Sequence, residues 1–192
     1  MSLKCKLEKS ILRENDCQYV LNSVKELYLI ARADVRAIDR APGEVSTGCG
    51  DEVKTITLKE AAPEGEAPKW AKIEPVINSA SFQDNLMVSD GGKYRHQMVS
   101  FNIAGDYNAQ MQCNFDNLSL GEYIVVAVLA SGKHILLGDE KVGLTATSCN
   151  QIGSGTATEF SGIQVTMEAD LTVSSAPLSS GAIDAIEGNL AA

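Results

Sequence analysis

Apolar and polar residues alternate most clearly near the C-terminal end. From Ile163 to Val173 every odd position is apolar (Ile163, Val165, Met167, Ala169, Leu171, Val173), and the even positions Gln164, Thr166, Glu168, Asp170 and Thr172 are polar. That period of two predicts a long strand with one buried and one wet face. Two other runs are apolar at both parities. Val24–Ala33 carries Leu27, Leu29 and Ala31 on one parity and Tyr28 and Ile30 on the other, and Tyr123–Ala130 is nearly continuous. Both read as strands covered on both faces.

Val35–Ile38 is expected to extend the strand at Val24–Ala33, and shorter strands are expected at Val53–Leu58, Trp70–Val76, Lys133–Leu137 and Val142–Ser148. Ser81–Ser89 and Tyr94–Ile103 read as a hairpin turned by Asp90–Gly91–Gly92. Within its second strand Val99, Phe101 and Ile103 share one face, and His96, Ser100 and Asn102 share the other. One helix is predicted. Asp106 is its N-cap, Met111, Phe115 and Leu118 form its stripe, and Gly121 stops it. So short a helix must dock on a sheet to be stable. Residues 1–21 read as an arm, 22–174 as the β domain and 175–192, small and polar, as a mobile tail.

With 192 residues, the chain can bury a core without disulfides or metal. Aromatics make up only 5% of it, so aliphatic side chains must fill that core. Net charge is −9 and uneven: residues 1–40 hold eight Lys/Arg against six Asp/Glu, and no Lys or Arg follows Lys141. Such a surface repels nucleic acid rather than gripping it. Cys5, Cys17, Cys49, Cys113 and Cys149 are scattered without a CxxC pair, which suggests free thiols and no zinc site. No signal-peptide pattern is visible, and the longest apolar run is too short to span a membrane. Cytosolic synthesis or assembly is expected.

Chemistry is hard to find. The chain lacks a GxSxG elbow, an HExxH helix, a P-loop and a GxGxxG turn. Gly153–Thr156 lacks the lysine and helix of a phosphate site. His96 has no carboxylate at a fixed local spacing, and His134 sits beside a turn, so neither reads as a base. Glu168 and Asp170 share a strand face and could in principle act as an acid/base pair, but a solvated acidic face is the simpler reading. Asp51–Glu52 and Asp139–Glu140 are adjacent and point apart, which argues against a calcium site. No enzyme activity and no cofactor is expected.

The order of motifs from Ser81 to Pro177 is more informative. A Ser-Phe-x-Asp strand leads through Gly91–Gly92 to Tyr94–Ile103, then a helix, Gly121 and Ile124–Leu129. Ser131–Gly132, Leu136–Leu137–Gly138, Gly143–Leu144, Ser154–Gly155 and Gly162 with its alternating strand follow. With Cys5, Cys17 and Val24–Leu29, this order resembles tail tube and tail ring structural proteins of Bacteroidetes-type phages and prophages. The acidic pair around Ala169 and the loop Glu60–Lys69 depart from that pattern.

The resemblance implies a mainly β fold, a β-sandwich or rolled barrel with one flanking α-helix, repeated around a ring that is six-fold. The protein would be a virion tail component assembled in the host cytoplasm. It would contact copies of itself and other tail or neck proteins, pass DNA without specific binding, and involve no membrane. Candidate lumen-facing residues are Gln164, Thr166, Glu168, Asp170 and Thr172. Candidate subunit contacts are Glu60, Glu64, Glu66, Lys69 and Trp70. Two alternatives remain: a connector, tail-completion or decorating ring protein, and a carbohydrate-binding β-sandwich.

Overall fold

The computed structural model describes residues 23–42, 51–61, 67–105, 109–153 and 160–191. In chain order the strands are β1 (Val24–Ala31), β2 (Val35–Pro42), β3 (Asp51–Leu58), β4 (Ala71–Ile73), β5 (Ser81–Ser89) and β6 (Gly92–Ala104). After helix α1 (Ala109–Leu120) come β7 (Glu122–Leu129), β8 (His134–Leu137), β9 (Leu144–Ile152), β10 (Gly162–Leu171) and β11 (Ala176–Pro177), then helix α2 (Ser180–Glu187). A single 3-10 turn, Arg32–Asp34, separates β1 from β2.

The fold is mainly β: one nine-stranded antiparallel sheet, a two-stranded sheet of β2 and β3, and two short helices. The path through the large sheet is β11-β8-β7-β9-β10-β6-β5, with β1 on the other side of β7 and β4 on the outside of β1. No closed barrel forms among the described residues, and β5 ends the sheet as a free edge. The expectation of one flanking helix is corrected to two.

β1 and β7 are apolar at both parities because both their faces are covered. Leu27, Leu29, Val125, Ala127 and Leu137 enter a first core with Val99 and Phe101 of β6 and Ile163, Val165 and Met167 of β10. Tyr28, Ile30, Ile124, Val126 and Leu136 enter a second core with Val53 of β3, Trp70, and Ala182 and Ile186 of α2. The large sheet therefore bends around the first core, while β3 and α2 cap its back.

The C-terminal segment expected to be mobile is instead part of this second core. Ser179 caps α2 through its side chain, which accepts from the Ala182 amide. Short backbone links anchor both ends: the Leu178 amide donates to His134 O (3.0 Å), and the Trp70 amide donates to Asn189 O (3.0 Å). Ala182 and Ile186, four apart, turn the apolar side of the helix inward.

The expected hairpin of β5 and β6 forms, but its turn is Asp90–Gly91 alone: Gly92 pairs with Ser89 and opens β6 two residues before the expected Tyr94. Gly92 sits at φ +126°, a conformation that glycine adopts without strain. At the start of β10, Gly162 lies so close to the Ile103 carbonyl that a Cβ there would overlap it.

α1 docks Leu118 into the first core with Phe115 packed against it; the proposed cap Asp106 lies outside the described residues, as do the arm and Glu64 and Glu66.

Glu26 ties β1 to β4. Its carboxylate accepts from the Tyr28 hydroxyl (3.2 Å) and lies 3.3 Å from the Lys72 ammonium. Burial raises the Glu26 carboxyl, but the hydrogen bonds from Lys72 and Tyr28 outweigh this and hold it below its usual 4.5. A lowered folded-state pKa stabilises above the unfolded value, and that stabilisation is lost as pH falls through the folded one. Glu26→Gln is therefore expected to flatten the loss of stability on acidification below about pH 4.5, as read by urea midpoints across a pH series. An unchanged acid limb would show that this ion pair contributes nothing.

Candidate functional site

Register alone predicts the outer face of β9, β10, β6 and β5 to be polar. Cross-strand partners point to the same side of a sheet, so the pairings write out the face row by row. Asn150, Gln164 and Asn102 form one row, and Ser148, Thr166, Ser100 and Ser81 form the next. Thr145, Glu168, Met98 and Gln83 follow, then Asp170, His96 and Asn85. The Ser81 and Ser100 hydroxyls lie 3.0 Å apart, which fixes the side these rows occupy. No lysine or arginine stands in any of them; Lys93 and Arg95 have the opposite parity.

All five candidate lumen residues fall on this side or continue its parity. Gln164 and Asp170 are exposed, Thr166 and Glu168 are partly so, and Thr172 lies just past the end of β10, exposed. Their apolar partners Ile163, Val165, Met167 and Leu171 are buried, as the alternation predicts.

What the local spacing did not contain is the histidine between the two carboxylates. His96 Nδ1 lies 2.8 Å from Asp170 Oδ1, and its Nε2 lies 3.9 Å from Glu168 Oε2. The first is a hydrogen bond; the second is an ion-pair distance only. The carboxylates thus sit on opposite ring nitrogens and do not converge on a common point. Among the described residues no group of three or more His, Cys, Asp or Glu is placed to hold a metal ion.

No family model, curated protein or solved structure matches this chain. Function must be argued from the surfaces themselves.

The loop candidates divide. Glu60 and Lys69 are exposed. Trp70 is a correction: it is 1% exposed and belongs to the second core, so its ring is not offered to a neighbour. The sequence places an aromatic beside an acidic, proline-containing loop; the backbone pairing of Trp70 with the segment around Asn189 turns the ring inward. His134 is likewise buried, its Nδ1 3.2 Å from Gly132 O.

A separate pocket of about 360 Å³ opens between α1 and β4. Leu29, Ile73, Ile103 and Leu118 line its apolar part, and Lys72, Glu74, Asn114 and Asn117 contribute polar groups. The Tyr123 hydroxyl, also in the lining, donates to Asn117 O at 2.9 Å, and burial pushes its pKa up.

Proposed function

We propose that this protein is a structural subunit of a homo-oligomeric ring in a phage tail, the outer face of β9, β10, β6 and β5 lining a channel for DNA. One observation carries the reading. A broad sheet face of neutral hydrogen-bonding side chains and two carboxylates, free of lysine and arginine, ends at an edge strand guarded only by the inward-facing Asp84. β5 spans nine residues, Ser81 to Ser89, with neither proline nor lysine, and its pairing with β6 has no bulge. Monomeric proteins shield such edges; an unshielded one is a template for another strand.

Edge pairing between copies extends the four strands into a larger wall. A channel wide enough for duplex needs strands from several subunits, because a barrel of about eight strands is filled by its own side chains. A wall without lysine or arginine offers phosphates no partner, which lets DNA pass without arrest. The repulsion from Glu168 and Asp170 acts only within roughly 8–10 Å at physiological salt.

The test is light scattering with negative-stain microscopy across a concentration series, on the full chain and on Gln83→Lys/Asn85→Lys. The unaltered protein is expected to form rings with a central hole. The double variant, which places lysines on the edge strand, is expected to remain monomeric with an unchanged circular dichroism spectrum. A monomer at every concentration for the unaltered chain would overturn the reading.

A further inference from the structure

Beside the second core sits a buried ionisable side chain that the channel reading does not use. His134, 8% exposed, opens β8 and faces Glu187, the last residue of α2. Each imidazole nitrogen looks at an oxygen. Nδ1 lies 3.2 Å from the Gly132 carbonyl, which can only accept, so Nδ1 carries a proton. Nε2 is buried, has no hydrogen-bond partner among the described residues, and lies 3.8 Å from Glu187 Oε1. An ionised carboxylate also only accepts. A neutral imidazole has one N–H and can satisfy one of these two oxygens; the doubly protonated form satisfies both. The backbone is tied at the same place, where His134 O accepts from the Leu178 amide just before α2.

The surrounding charges leave Glu187 as its partner. Tyr28 of β1 approaches with ring centroids 6.2 Å apart, and burial pushes its phenol up, so it adds no charge. Glu26 behind it is paired with Lys25 and Lys72, and on β3 Lys54 lies 2.6 Å from Glu52. Lys133 and Asp184 are exposed, and β7 contributes the apolar Val126 and Val128. We propose that His134 and Glu187 form a proton-operated latch on α2. A proton taken from solvent at Nε2 is donated in a hydrogen bond to Glu187, whose half-exposed side chain closes the remaining gap by a change of rotamer. The latch ties the last turn of α2 to β8. When the proton leaves, Nε2 is one more acceptor facing a carboxylate, and α2 keeps only its apolar contacts and backbone links. A proton held more tightly with α2 closed than open favours closure in acid, and that stabilisation is lost as pH rises. Histidine changes charge between about pH 5 and 8, above the range in which Glu26 titrates. The latch requires neither a ring of copies nor DNA.

Trp70, the single tryptophan, shares the second core with Ala182 and Ile186, so acrylamide quenching of its fluorescence reads the opening of α2. In the full chain, quenching is expected to rise about fivefold between about pH 5.5 and about pH 8. Glu187→Ala, at an exposed helix position that the fold does not need, is expected to abolish that step. The chain has two histidines, and His96→Gln is expected to keep the step unchanged. A flat profile in the unaltered chain, or a step of opposite sign, overturns the latch. So does a step that survives Glu187→Ala or disappears in His96→Gln.

Discussion

Trp70→Ala is expected to destabilise the fold by about 3–5 kcal/mol, the cost of emptying a large, fully enclosed aromatic site. Trp70 belongs to the second core with Tyr28, Ile30, Ile124 and the buried residues of α2, and its amide and carbonyl are both tied to the segment after α2. Backbone ties survive the substitution, but the ring volume does not, and a helix of eight residues cannot collapse far to fill it. Urea denaturation followed by far-ultraviolet circular dichroism reads the change. Trp70 is the single tryptophan, so in the unaltered chain its fluorescence reports this core directly. A loss of less than about 1 kcal/mol would show that the second core contributes little and that the ring serves contacts outside the subunit.

Gln97→Leu is expected to cost about 2–4 kcal/mol despite its similar size. Gln97 is fully buried in β6, and its amide spans two loops. Its Oε1 accepts from the Gly138 amide at 2.9 Å, and its Nε2 donates to Val173 O at 3.2 Å. One partner can only donate and the other can only accept, so the orientation of the amide is determined. Leucine leaves the buried Gly138 amide and the half-buried Val173 carbonyl without a partner, a penalty of roughly 1–3 kcal/mol for the first and less for the second. Gln97→Glu separates the two halves: it retains the acceptor for Gly138 and loses the donor to Val173. Equal stability of Gln97→Leu and the unaltered protein would mean that water satisfies both groups.

Strand positions were largely legible because burial imposes a period on them. The odd positions of β10 had to be apolar to reach the first core, and Ser81–Ser89 emerged with the bounds its turn residues suggested. β1 and β7 were recognisable as doubly covered for the same reason: each serves two cores. Other features were not local. His96 and Asp170 are 74 positions apart, and only the β6–β10 register joins them. Trp70, at the start of an expected strand, was read as a subunit contact because the segment that encloses it begins more than a hundred positions later. That segment was masked by its small, polar composition, although Ser179 before Ala182, Ile183 and Ile186 is a cap followed by a helical spacing. The apolar triplet Leu86–Val88 breaks the alternation of a half-buried strand. That break was a signal for an exposed tip.

The closure of the second core by α2 has a consequence for the order in which the protein is made. Tyr28, Trp70, Ile124 and Val126 leave the ribosome well before Ala182 and Ile186. Until the later residues emerge, a nascent chain can complete the first core but presents the back of β1 and β7 uncovered. Synthesis itself then holds each subunit in an unfinished state, open to chaperones and to aggregation, and a chain stopped before position 180 would carry that sticky surface permanently.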